Sequence, residues 1–215
     1  MKSLIDQYVK LSSEEISAIK AESVSENHFA SSCSVAKIFK RDRLRVTWLK
    51  ICPEIYDMTN LKKLAKSKLQ AIKSTLNLGL GVYAHGKAGT HKTRSIFACL
   101  AEQHCGGKSI SVLDGYYIAV LMRMDFADAR KQIDHFCTTD ILFIDDLFKS
   151  KISEAQESLL FEILERRTSR LKPIIITSEL SPKKISAHFT EGGVETRADA
   201  IMRRIIENCK VLNFA

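Results

Sequence analysis

Short unbroken apolar runs alternate along this chain with longer stretches in which apolar residues recur every three or four positions. The short runs fall at 78–84, 108–113, 140–145, 173–178 and 210–214. A strand with one wet face alternates apolar and polar residues, so continuous apolar runs of this length predict strands buried on both faces. The longer stretches read as helices. One follows Ser95-Ile96-Phe97-Ala98-Cys99-Leu100-Ala101 and ends near Gly106-Gly107, and others cover 116–124 and 126–136. Another covers 153–167, with Leu159, Leu160, Ile163 and Leu164 inward. A further helix is expected from Thr59, where Leu61, Leu64, Ala65, Leu69, Ile72 and Leu76 form one apolar stripe. Strands alternating with helices imply a mostly parallel sheet, here of five strands, sandwiched by helices, with ligands bound at the strands' C-terminal edge.

The first fifty residues form a separate small helical region. Ser12 and Glu15 carry a capping-box signature, 23–27 is a polar break, and a second helical stretch runs through Ala36-Lys37-Ile38-Phe39. Pro53 marks a boundary, because proline disfavours helix at the residue before it. The expected division is a helical N-terminal region at 1–47, the candidate partner-binding region, and an α/β core at 48–215.

The most specific chemistry lies between the first strand and its helix. Residues 86–93 read Gly-Lys-Ala-Gly-Thr-His-Lys-Thr. Glycines there let backbone N–H groups turn toward phosphate oxygens, and the following helix N-terminus adds partial positive charge. In such a P-loop a lysine reaches the terminal phosphates and a hydroxyl ligates Mg²⁺, roles that fall to Lys92 and Thr93. The candidate nucleotide cradle is Gly86, Lys87, Ala88, Gly89, Thr90, His91, Lys92, Thr93 and Arg94. The strand at 140–145 ends in Asp145-Asp146, some fifty residues further on. A carboxylate pair there suits one residue holding Mg²⁺ (Asp145) and one orienting the attacking water (Asp146). Taken together the two motifs point to a Mg²⁺-dependent NTPase.

Composition narrows the setting. The chain has 215 residues, 45% hydrophobic and 27% charged, enough for one well-buried domain with an appendage. The first six residues turn polar at once and no run is long enough to span a bilayer, so no membrane association and a cytoplasmic location are expected. Six scattered cysteines without a Cys-x-x-Cys pair suggest free thiols, and Cys99, His104 and Cys105, or His135 and Cys137, lack structural-zinc spacing. The net charge is +8, and residues 37–73 hold eleven Lys/Arg against three acids, which accounts for all of it. Such a patch, which includes Lys62, Lys63 and Lys66, suggests contact with a phosphate backbone; a solvated lysine face is the plain alternative.

The order of parts over 48–215 resembles helicase-loader ATPases of the DnaC/DnaI type, close to the IstB-like transposition ATPases, within the AAA+ class. The likeness rests on the P-loop, Ile144-Asp145-Asp146-Leu147, Glu165-Arg166-Arg167, Ile175-Ile176-Thr177-Ser178-Glu179-Leu180 and Ala200-Ile201-Met202-Arg203-Arg204-Ile205. The stretch Trp48…Cys52-Pro53…Tyr56 is similar to that of phage-encoded members. The resemblance implies a P-loop AAA+ core without a C-terminal lid domain, ATP and Mg²⁺ as cofactors, single-stranded DNA as a ligand, and a replicative helicase or a related replication or transposition protein as partner. It implies transient self-association, with Arg204, or its neighbour Arg203, as an arginine finger reaching another subunit's γ-phosphate. It also places a single-strand-binding insertion at 115–137, with Arg123, Arg130 and Lys131 as candidates, in a protein of a bacterial or phage-infected cell.

Two departures bear on catalysis. His91 stands directly before the P-loop lysine, where the pattern has glycine, and Glu179 stands where the family carries a polar sensor. Both favour nucleotide binding over fast hydrolysis. The leading reading is therefore a slowly hydrolysing ATPase that binds single-stranded DNA and loads or regulates a replicative helicase. Alternatives are a non-hydrolysing ATP-gated adaptor, a transposition regulator, and a small-molecule kinase on the same scaffold.

Overall fold

In the computed structural model, which describes residues 3–8, 30–149, 152–188 and 195–214, five parallel strands lie between two layers of helices. The N-terminal capping-box signature and the polar break at 23–27 lie outside the described residues. In chain order come α1 (Leu4–Tyr8), α2 (Ala30–Leu49), α3 (Glu54–Asp57), a 3-10 turn at Leu61–Lys63, α4 (Lys66–Asn77), β1 (Gly81–His85) and α5 (Lys92–Cys105). They are followed by β2 (Ile110–Asp114), α6 (Tyr117–Leu121), α7 (Phe126–Thr138), β3 (Ile141–Asp145), α8 (Glu154–Thr168) and β4 (Ile174–Ser178). A 3-10 segment at Pro182–His188, α9 (Glu195–Asn208) and β5 (Cys209–Asn213) complete the described elements.

The strand order is β2-β3-β4-β1-β5, and every pairing is parallel. Successive side chains on a strand point to opposite faces, and each apolar run serves both cores in turn. Ile141 and Phe143 pack with Val82, Ala84, Ile175 and the α5 residues Ile96, Phe97 and Leu100. Leu142 and Ile144 pack on the other side with Tyr83, Ile174, Ile176 and the α8 residues Leu160, Ile163 and Leu164. Both faces are dry along β1, β3 and β4, which is why no polar alternation marks them, whereas β5, expected to be buried on both faces, lies at the sheet's edge with Lys210 and Val211 exposed.

Two buried polar groups tie the layers together. The Asp57 carboxylate, 2% exposed, accepts from Ser3 Oγ (2.9 Å), Leu4 N–H (3.1 Å) and Trp48 Nε1 (2.9 Å), anchoring α1 and the end of α2 on the core. The Arg167 guanidinium, fully buried at the end of α8, donates to the carbonyls of Phe136, Thr139, Asp140 and Pro173. It thereby satisfies carbonyls at the end of α7 that no helical amide can reach. Burial pushes its pKa down to about 10.

Two stretches differ from the sequence expectation. The helix expected from Thr59 starts at Lys66 instead. Asn60 accepts from Lys62 N–H to form the 3-10 turn, and Leu64 and Ala65 are extended. The apolar stripe survives, since Leu64 is buried and Leu61 packs against the core, so the period recorded burial while the backbone changed type. The helical stretch read around residue 36 is part of the 20-residue α2, which continues past residue 47 to place Trp48, fully buried, in the core.

Candidate functional site

The turn from β1 into α5 sits where the sheet's C-terminal edge opens. β1 is one of the sheet's inner strands, and its last residue hands the chain to Gly86, whose amide donates to Ser178 O at the end of β4 (3.2 Å). Gly89 takes φ +78, a backbone angle that side chains resist. His91 takes φ 64 and ψ 24 as the residue capping α5 and makes no side-chain capping bond. A non-glycine residue in the left-handed region stores strain of about 1 kcal/mol or more, the kind found at ligand-binding turns.

Lys92 opens α5 and is 6% exposed; its ammonium donates to Gly86 O (2.7 Å) and Lys87 O (3.0 Å). Thr93 donates from Oγ1 to Asp145 Oδ1 at 2.9 Å, joining the start of α5 to the end of β3. Thr177 of β4 donates to the same carboxylate oxygen, and its hydroxyl also accepts from the Asp146 amide at 2.9 Å. Burial raises the Asp145 pKa above the ordinary carboxylate value, against the pull of the Thr177 and Thr93 hydrogen bonds; Asp146 and Asp114 raise it further.

The chain leaves β3 through a strained turn. Asp146 has φ 52 and Phe148 φ 66, and Phe148 is 3% exposed in the core. Lys149 follows, exposed, with its ammonium 3.3 Å from Asp146 Oδ2. That bond holds the Lys149 pKa above the ordinary lysine value, and the charges of Asp146, Glu179 and Asp114 add to it. Gly115, the first residue after β2, donates its amide to Asp145 O at 2.8 Å. A Cβ there would come within 2.9 Å of Asp146 O, so only glycine lets the chain pass so close to the acid pair.

These groups share one cleft. A cavity of about 230 Å³ is lined by Ala88–Arg94 of the turn together with Tyr56, Asp146, Lys149 and Glu179. His91 and Arg94 also line a second cavity of about 610 Å³, with Ile55, Met58, Thr59 and Leu64. Arg94 is fixed between the two by bonds to Ile55 O (2.8 Å) and Thr59 Oγ1 (3.2 Å), and it lies 5.6 Å over the Tyr56 ring. The P-loop candidates, Asp145, Asp146 and Glu179 are thus brought together as expected from their order in the chain. Tyr56, marked in the sequence only by the phage-like stretch that it closes, and Lys149, which nothing in the local sequence marks, were not among the candidates. A hydroxyl and a carboxylate oxygen side by side suit Mg²⁺, a hard cation that takes few protein ligands beside phosphate and water.

The remaining candidates are dispersed. Arg204 on α9 is bound to Glu165 on α8, whereas Arg203 is exposed. Arg130 pairs with Glu162 at 2.7 Å and Lys131 with Asp128 at 3.1 Å, which leaves Arg123 exposed between α6 and α7, the pair expected as an insertion. Near it the large apolar side chains Tyr116 (73% exposed), Met122 and Phe126 (85% exposed) face solvent. Lys62, Lys63 and Lys66 are exposed on the 3-10 turn and the start of α4, which packs on β1, whereas the insertion packs on β2 at the sheet's edge. The two basic groups do not form one patch.

Comparisons with known proteins agree with this arrangement. A family model described as IstB-like ATP binding protein matches residues 44–215. The replicative helicase loader DnaI of Bacillus subtilis (strain 168) is 26% identical over 136 residues, covering 60% of this chain and 43% of DnaI. The chain therefore aligns with less than half the length of that relative. A crystal structure of DnaI superposes with a TM-score of 0.62 at 19% identity, over 78% of this chain and 92% of that one. The DnaC helicase loader gives 0.55 at 20% identity, over 78% and 98%. The replication initiator DnaA bound to AMPPCP and single-stranded DNA gives 0.55 at 18% identity, over 73% and 51%. These structures share the α/β fold of P-loop AAA+ proteins with the present chain.

Proposed function

The chain belongs to the family of IstB-like ATP-binding proteins, and from that premise we propose that it binds ATP with Mg²⁺ and acts on a replicative helicase, loading or regulating it on single-stranded DNA. The observation that carries the nucleotide reading is the meeting of Lys92, Thr93 and Asp145 at the C-terminal edge of the sheet, with Thr93 and Asp145 in direct contact. Lys92 would exchange the Gly86 and Lys87 carbonyls for phosphate oxygens, and the amides at the start of α5 would complete the cradle. Thr93 and Asp145 would hold Mg²⁺, which neutralises charge on the phosphates when bound. Asp146, oriented through its amide by Thr177, would position the attacking water. The 610 Å³ cavity beyond His91 and Arg94 offers the space for ribose and base.

A cation facing the transferred phosphoryl group speeds hydrolysis, and the family resemblance implies that a second subunit supplies it. Of the two candidates, Arg203 is free to reach outward, whereas Arg204 must first leave Glu165. On the insertion, Tyr116 and Phe126 offer ring faces for stacking bases, with Arg123 beside them for phosphate. The similarity to helicase loaders supports a helicase as the partner, and the N-terminal region at 1–47 is the segment proposed to meet it.

A second reading, the non-hydrolysing adaptor, is favoured by two features of the cleft. His91 is strained where the turn meets phosphate, and Glu179 adds a carboxylate to the end where a γ-phosphate would lie. Direct ATP binding and phosphate release, each measured with and without single-stranded DNA, separate the readings. Binding with DNA-stimulated release is the expected result. Binding without release under either condition would favour the adaptor, and no binding would remove the nucleotide reading altogether.

A further inference from the structure

Asp146 and Glu179 line the 230 Å³ cavity, Asp145 is bonded to the lining residue Thr93, and Asp114 adds its charge from the end of β2. A triphosphate brought to this cavity meets like charges on its wall. Lys92 and Arg94 line the cavity too, but the Lys92 ammonium is engaged by the Gly86 and Lys87 carbonyls and the Arg94 guanidinium by Ile55 O and Thr59 Oγ1. Lys149 lines the same cavity and adds a positive charge beside Asp146.

The backbone around Lys149 is built at some cost. Asp146 and Phe148 both occupy the left-handed region, and the buried Phe148 side chain pins the turn to the core. The outcome of this strained turn is that Lys149 emerges at the rim of the cavity, beside Asp146 and within the field of Glu179. Its side chain is 71% exposed and held by one bond of 3.3 Å, so its flexible stem is free to swing toward an incoming phosphate. We propose that Lys149 binds the terminal phosphate of ATP and offsets Glu179, so that this chain distinguishes a triphosphate from a diphosphate through the pair Lys149 and Glu179. This rests on the nucleotide reading above and assigns the γ-phosphate end to named residues.

The test is a double-mutant cycle read by nucleotide affinity. Equilibrium binding of ATP and of ADP, both with Mg²⁺, is measured for the wild type, Lys149→Ala, Glu179→Gln and the double variant. Lys149→Ala is expected to weaken ATP binding roughly tenfold and ADP binding by no more than about twofold, the scale of one charge-assisted contact. In the Glu179→Gln background the same change should cost ATP affinity much less. Thermal unfolding should be unchanged, because Lys149 is a surface side chain. Equal losses for ATP and ADP, no loss for either, or the same ATP loss with and without Glu179 would each overturn the proposal. If the wild type binds no ATP, or binds it equally well after Lys92→Ala, the nucleotide reading fails and Lys149 falls with it. That result differs from the others because it is read from the wild type and Lys92→Ala alone, with no change at Lys149.

Discussion

The Arg204 guanidinium on α9 grips the Glu165 carboxylate on α8, with Nε at 2.6 Å and a terminal nitrogen at 2.5 Å, while lying 5.7 Å over the Phe161 ring. The contact joins two helices that pack along one face of the sheet, and it leaves Arg203 facing solvent. Because Glu165 is half exposed, the pair contributes only about 1 kcal/mol. Arg204→Ala should therefore lower the melting temperature by about 2–4 °C. Arg203→Ala should leave it unchanged and suppress the hydrolysis of the assembled protein. A melting temperature that falls for Arg203→Ala, with hydrolysis lost only in Arg204→Ala, would exchange the two roles.

Lys92→Ala should abolish measurable ATP binding while leaving the fold intact, which circular dichroism and nucleotide titration together would establish. His91→Gly tests the strained cap. Glycine takes φ 64 without strain but loses more entropy on folding, and the two effects nearly cancel. The melting temperature should stay within about 3 °C of wild type. ATP affinity should rise a few-fold, since no side chain then stands at the mouth of the turn. An affinity lowered by His91→Gly would mean the imidazole itself contacts nucleotide.

On the insertion, Phe126→Ala or Tyr116→Ala should weaken single-stranded DNA binding by about tenfold, the scale of one lost base stack. Arg123→Ala should weaken binding and flatten its salt dependence. Arg130→Ala should act on stability instead, because Arg130 is engaged with Glu162 and also lies 3.9 Å from Asp134. Fluorescence anisotropy with a labelled oligonucleotide, at two salt concentrations, distinguishes these outcomes.

Acid sensitivity should centre on His85, at the end of β1. Burial lowers its pKa below the ordinary value of 6.5, and the nearby Lys92 and Lys68 charges lower it further. The unfolded chain therefore takes up a proton before the folded one does. The resulting stability is fully present above about pH 6.5 and is lost as pH falls toward the lower folded value. The melting temperature of the wild type should drop between pH 7.5 and 5.5, and His85→Gln should flatten that drop. An identical drop in both proteins would assign the effect to other groups.

The sheet was legible because its inner strands are dry on both faces. Runs such as Ile141-Leu142-Phe143-Ile144 feed both cores, so their positions followed from the apolar pattern and their parallel pairing from the alternation of strands with helices. The nucleotide cleft was legible because its residues cluster at two strand ends, which topology brings together. The pairing state of the arginines was not legible. Whether Arg130, Arg166 or Arg204 is free depends on which carboxylates α7 and α8 present to each other and α8 presents to α9, and that is fixed by helix packing. Tyr116 and Phe126 carried a weak signal: both are aromatic positions at the start of a helical segment, next to the stripe that packs inward. Lys149 carried none, since its place depends on two left-handed residues that no propensity forecasts.

The buried Arg167 has a mechanical consequence. Its guanidinium clamps the last carbonyls of α7 to the start of β4, so that end of the insertion is a fulcrum. The other end of α7, some 20 Å away at 1.5 Å per residue over its 13 residues, carries the exposed Phe126. Asp140 and Pro173, which the same guanidinium also holds, directly precede the two strands that carry Asp145 and Thr177, so one buried cation fixes where both strands begin.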